Sequence, residues 1–387
     1  MANFDEAKFA LEAASGGRNT LLLDDVGMPS VMVRIPMFRW SEVIEGGEDS
    51  PCSAFIIGGK VHECIYISKY MNIIENGRAY SLPNRDPAHS MTIDQAREAC
   101  AAKGPGWHLM TNAEWTAIAH WCVKNGTIPR GNSDHGRDYK ETHERGILVP
   151  GNDGETIIPE RRTYTGTGPD SWNHDHGPFG INDLNGNNWD FVAGLRIVDG
   201  EIQVIADNDS ALSVDESESS TRWRAINTDG ELVLPGSPNT YKYDGVSPGI
   251  ESGEDALIGG GFILNTVVEK PNYTGSEPDV SHRASGIMRF FEMKAAPGVA
   301  KHIRLKQLGL FPTAGEDPNA QFRNGDYSDG ANFFLRNYGE RIAARGGSWF
   351  DAAGGGIWDL YLREPRDFFF PDVGFRAAYV ELEGCQL

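Results

Sequence analysis

Apolar residues fall at helical spacing in only three places along this chain, and alternate at strand spacing in many more. Residues 3–15 place Phe4, Phe9, Ala10 and Leu11 on a rough stripe that Gly16 and Gly17 end, so a short helix is predicted there. Two helices further on are better marked. One opens at Thr92, with Gln95 three residues on to close a capping box. It carries Ile93, Ala96, Ala99 and Cys100 until Gly104. The other opens at Thr111 with Glu114 in the matching place, and carries Trp115, Ile118, Ala119 and Cys122 until Gly126. Residues 30–38 read as a strand stopped at Pro36. Residues 54–57 and 64–67 read as a hairpin about Gly58, Gly59 and Lys60, and residues 183–192 as a turn entering an aromatic strand. Short β-like runs at 202–205 and 231–234 flank an acidic, Ser-rich turn at 215–220. Residues 125–180 are polar and Gly-rich, the pattern of long surface loops, and 302–310 mix basic and apolar residues.

Composition narrows the class. A chain of 387 residues can bury a large core, and 46 Gly with 21 Pro predict much loop and tight turn. A formal net charge of -20 argues against a nucleic-acid partner, because phosphate backbones reward positive patches. No apolar run approaches the roughly twenty residues that cross a bilayer, so no membrane insertion is expected. Residues 1–16 do not read as a secretion signal. Five cysteines (Cys52, Cys64, Cys100, Cys122, Cys385) are odd in number and lack CxxC spacing. Free thiols made in a reducing cytoplasm are the expectation, and release by lysis, as in a virus particle, fits equally.

Candidate chemistry is sparse. His174, Asp175 and His176 are metal-ligand types, but an extended chain points the two rings apart, so a solvated loop is preferred. The turn from Asp183 to Asp190 has oxygen ligands enough for calcium without the spacing of an EF-hand loop, and ordinary Asx-turn chemistry is the alternative. No other cofactor is expected. Phosphate-loop, nucleophile-elbow and HExxH patterns are missing.

The richest segment is 345–378. Between Arg345-Gly346-Gly347-Ser348-Trp349 and Gly374-Phe375-Arg376-Ala377-Ala378 lie Phe350, Asp351, Gly354, Asp359, Tyr361, Arg363, Glu364, Phe368, Phe369, Phe370 and Asp372, aromatic and charged residues in the mixture that suits a binding face. Successive residues of an extended chain point to opposite sides, so at least one of the three consecutive phenylalanines is expected at the surface. Leu360 and Leu362 alternate with Asp359, Tyr361 and Arg363, so a strand here buries one face and displays the other, with Trp349 and Trp358 buried at the loop ends.

Four segments together resemble the formylglycine-generating-enzyme branch of the C-type lectin fold: residues 109–115 (LMTNAEW), 184–192 (LNGNNWDFV), 345–349 (RGGSW) and 374–376 (GFR). That enzyme depends on cysteines just before its Gly-Phe-Arg segment; here the interval holds none, and Cys385 lies beyond it. The resemblance therefore implies the fold without the oxidase, and no enzyme is expected. The arrangement of the closing segment resembles more closely the variable proteins of diversity-generating retroelements. In that family an adenine-specific error process rewrites chosen codons, mostly Asn codons, between fixed scaffold positions. Here those would be Gly346, Gly347, Ser348, Trp349, Trp358, Leu360, Leu362, Gly374, Phe375 and Arg376, with Phe350, Asp351, Gly354, Asp359, Tyr361, Arg363, Phe368, Phe370 and Asp372 variable. Glu364 cannot arise from an Asn codon changed only at adenines, although it can still touch ligand.

The expectation is thus an α+β chain of C-type lectin type, formylglycine-generating-enzyme-like, with long loop insertions. Residues 1–45 would form an arm with an assembly role and 46–387 the lectin-like domain. Its function would be to bind a host-surface protein or glycan through a hypervariable surface, as a phage or prophage attachment protein displayed on a virion tail. A homo-oligomer would add avidity, on family analogy alone. The rivals are a divergent oxidase or other enzyme using His174 and His176, and a structural virion protein.

Overall fold

A computed structural model describes residues 2–150, 161–246, 261–269, 283–312 and 331–382. It is an α+β protein, mostly sheet with few helices. Both capping boxes form. Thr92 accepts from the Gln95 amide at the start of the Ile93–Ala101 helix, and Thr111 from the Glu114 amide at the start of Asn112–Asn125, which ends on left-handed Gly126. The first helix, Ala2–Ser15, packs little of its expected stripe, since Phe9 is 73% exposed.

Two sheets organise the described residues. The smaller runs in the order Asn19–Leu23, Pro29–Pro36, Cys64–Ser68, Ala377–Tyr379, Trp107–Leu109. The larger centres on Trp189–Val198, which pairs antiparallel with Glu201–Val204 and Glu340–Arg345 and parallel with Val373–Phe375. The chain thus leaves one sheet at Phe375 and enters the other at Ala377, with Arg376 at the crossing. The hairpin about Gly58 and Gly59 exists, but Ile56–Ile57 pairs with Lys60–Val61. Cys64–Ser68 goes instead to Pro29–Pro36 and Ala377–Tyr379, where its alternate side chains reach the core.

The described residues of the 125–180 stretch are less solvated than its polarity predicts. His174 is buried, and its Nδ1 accepts from the Ile181 amide at 2.8 Å. Burial pushes that imidazole down to about 4, so it is neutral, and Asp175 caps the Gly177 amide. The His-Asp-His trio is therefore a packed turn, and the solvated-loop expectation is corrected. Of the five cysteines, Cys385 lies outside the described residues; the other four are free. No helix among the described residues is long and apolar enough to cross a membrane.

Candidate functional site

The closing segment is built on the strand Leu360–Leu362. It lies between Asn332–Arg336, in parallel, and Glu340–Arg345, in antiparallel register. Alternation then sorts its side chains. Leu360 and Leu362 join Phe333, Leu335 and Ala343 in the main core, while Tyr361 projects to the opposite face. Tyr361 is opposite Phe334 on one side and Ala344 on the other, and Ala344 is opposite Phe191, so these four side chains form one transverse row of the sheet.

That row floors a cleft of about 330 Å³. Trp189, Ile342, Val373 and Asp372 extend the floor, and Phe350, Asp351, Arg363, Glu364, Phe368 and Phe370 rim it. The aromatic rings are in mutual contact: Tyr361 lies 5.3 Å from Trp189 and 5.0 Å from Phe334. Phe368 stacks on Tyr361 at 6.3 Å, and Phe370 on Phe368 at 6.0 Å. The phenylalanine triplet thus splits as an extended chain requires. Phe368 and Phe370 share the cleft side, and Phe369 points away at 61% exposure.

Eight of the eleven expected site residues meet at this cleft, and Phe369 is exposed beside it. Two others are corrections. Asp359 has the parity of Tyr361 but precedes the strand, and it is fully buried, where Oδ1 accepts from the Asn332 amide at 2.8 Å. Gly354 is also buried, and a Cβ there would sit 2.1 Å from Asn332 Nδ2, so a side chain at this position requires the Asn332 amide to turn aside. A third expectation changes in part. Asp372 lines the cleft yet is only 5% exposed, so it acts from the floor.

Carboxylates dominate the electrostatics. Asp351 Oδ2 accepts from the Ser348 amide at 2.6 Å and the Ser348 hydroxyl at 2.9 Å, yet burial holds its carboxyl up at about 6. Burial, then the neighbouring Asp351 charge, pushes Asp372 up to about 7. Burial and Asp351 likewise raise Asp359 well above the ordinary range. Of the basic residues nearby, Arg336 pairs with Glu364 at 3.3 Å, whereas Arg363 lines the cleft, its Nε 3.8 Å from Glu364 and without a hydrogen bond. Arg366 turns from the cleft to Glu340 at 2.8 Å and Asp94 at 3.0 Å, tying the segment to the Ile93–Ala101 helix.

The flanking signatures hold the cleft from below. Arg345 is fully buried, its Nη2 donating to Asn112 Oδ1, Leu308 O and Gly309 O. Gly346 and Gly347 have φ of +93° and +79°; a Cβ on Gly347 would lie 2.7 Å from Asp359 Oδ2. The Gly186 amide donates to Gly346 O, the Trp349 amide to Asn187 O, and Trp115 Nε1 to Ile357 O. Arg376 donates to Asp190 Oδ2, Asn182 O and Asp183 O, and its own carbonyl accepts from the Met110 amide. Trp349 and Trp358 are both buried.

Within the Asp183–Asp190 turn, Asp190 Oδ2 accepts from the Arg376 guanidinium and Asn187 Oδ1 from the Thr163 amide, while Asp183 Oδ2, Asn185 Oδ1, Asn188 Oδ1 and Asp190 Oδ1 are buried without a hydrogen-bond partner among the described residues. Among the described residues no group of three or more His, Cys, Asp or Glu side chains is placed to hold a metal ion.

Sequence reasoning missed the floor residues Trp189, Phe191, Phe334, Ile342, Ala344 and Val373. Trp189 and Phe191 were legible as same-side residues of one strand. Phe334 was not, since the run Asn332-Phe333-Phe334-Leu335 offers either ring to either face. No family model matches the sequence, and no curated protein matches it.

Proposed function

We propose that this chain is a ligand-recognition protein, in which a buried frame presents an exchangeable cleft between residues 350 and 372, on a C-type lectin scaffold of formylglycine-generating-enzyme type. The observation that carries this reading is convergence. All four segments that resemble that family touch one another beneath the cleft, through Arg345 to Asn112, Gly186 to Gly346, Trp349 to Asn187, Arg376 to Asp190 and Met110 to Arg376. The side chains between them gather around a single aromatic opening. A frame fixed by buried hydrogen bonds lets the rim change without unfolding the protein.

Phe350, Asp351, Tyr361, Arg363, Phe368, Phe370 and Asp372 are the exchangeable set, each reachable from an Asn codon by changes at adenine alone. Glu364 is a fixed contributor, paired to Arg336. Diversification by a retroelement, and host attachment by a phage or prophage particle, are the biological setting that such a device fits. The test is the DNA beside the gene. A near-copy of the codons for residues 345–378 is expected, differing only where the copy has adenine, next to a reverse-transcriptase gene. A neighbourhood with neither sinks retroelement diversification.

A further inference from the structure

The cleft has a chemical bias that a merely adaptable surface would lack. Its lining is a run of rings: Trp189 and Phe334 lie against Tyr361, Phe368 stacks on Tyr361, and Phe370 stacks on Phe368. Two carboxylates, Asp351 and Asp372, line the same space, and among the described residues neither makes an ion pair. Glu364 takes Arg336 at 3.3 Å and lies 3.8 Å from Arg363 Nε; Arg363 also lines the cleft, and neither arginine pairs with the other two carboxylates. Asp372 is more than nine-tenths buried and still opens onto the cleft, a costly placement for a charge with no counter-ion. A neutral apolar ligand would leave that cost standing. A cation with an alkyl surface would remove it and gain the ring faces as well.

We propose that the group seated in this cleft is a trimethylammonium head, held against the aromatic walls and neutralised by Asp351 and Asp372. The assignment rests on the reading of the cleft as the recognition site and adds the class of ligand. Bulk and softness favour this cation over a bare ammonium, because a trimethylammonium sheds water readily and lies against the ring run, whereas a lysine head keeps its hydration.

The experiment uses the full chain and two probes, choline and its uncharged isostere 3,3-dimethylbutan-1-ol, titrated by calorimetry and by ligand-observed NMR. Choline is expected to bind at least about tenfold more tightly than the alcohol. Asp372→Asn, close in shape, is expected to cost choline about tenfold while leaving the alcohol unchanged. Phe370→Ala weakens both, and thermal melts confirm that each variant folds. Equal binding of the two probes, both lost in Phe370→Ala, overturns the cation and leaves the cleft as a recognition site. Failure of both probes to bind overturns the cation as well. In that case cell-attachment assays of the Phe370→Ala variant decide whether the recognition reading falls with it.

Discussion

Arg345, Ser348, Trp349 and Arg376 are nearly or wholly buried, whereas Phe350, Phe369 and Phe370, a few residues away on the same segment, are 38%, 61% and 51% exposed. The usual preference is inverted: two arginines lie inside and three phenylalanines face out. Each inversion has its own cause. The arginines are spent on backbone oxygens that the loops cannot satisfy by themselves, so they act as internal crosslinks. The phenylalanines gain nothing from the core, because Leu360, Leu362 and Phe333 already fill it.

The contrast breaks hardest at Arg376. Arg376→Ala leaves Asp190 buried without its partner and strips the donors from Asn182 O and Asp183 O at the crossing between the sheets. A loss of about 3 kcal/mol or more is expected in urea unfolding, the range for one half of a buried pair. Asp190 offers partial relief: burial already holds it at about 6 with Arg376 in contact, so without the arginine it will take up a proton. Adding Asp190→Asn should therefore recover part of the loss. A surface-like loss below about 0.5 kcal/mol would remove the distinction between frame and rim.

A smaller effect follows from the cleft carboxyls. Asp351 at about 6 and Asp372 at about 7 hold their protons in the fold at a pH where the unfolded chain has released them. Their raised values mean that the fold's advantage is complete below about pH 4 and fades as pH rises through 6 and 7. Urea midpoints should accordingly fall between pH 5 and 8, with Asp372→Asn flattening the decline by on the order of 1 kcal/mol. An unchanged slope in that variant would place the titration elsewhere and weaken the claim that the floor is electrostatically strained.

How much of this was legible in the sequence depends on whether a local rule sufficed. The helix starts at Thr92 and Thr111 were, because a capping box is settled within four residues. The opposed faces of residues 360–362 were, because strand parity is local. Asp359 was misread for the same reason: parity says which way a side chain points but not whether the chain has yet reached the strand, and the Asn332 amide that captures it is 27 residues away. Cys64–Ser68 was given the wrong partner because its two partners, Pro29–Pro36 and Ala377–Tyr379, lie outside the local hairpin, the second far along the chain. The cleft floor combines strands from residues 189–198, 332–336, 340–345 and 360–362, a juxtaposition that only the folded sheet provides.

The mildest test concerns Phe369, and it sharpens the contrast because the expected answer is almost nothing. Its ring leaves the cleft while those of Phe368 and Phe370 stack inside it. Phe369→Ser therefore removes apolar surface that water already touches. Stability should stay within about 0.5 kcal/mol of the parent, as for surface changes that disturb no packing. Probe binding in the cleft should not move either, while Phe370→Ala next door weakens it. A ligand that buries more than the cleft would reveal itself here, since contact with a second surface makes Phe369→Ser costly for the whole ligand and neutral for the small probe. Melting and titration of the two single variants side by side thus measure how far the recognition surface extends past its aromatic opening.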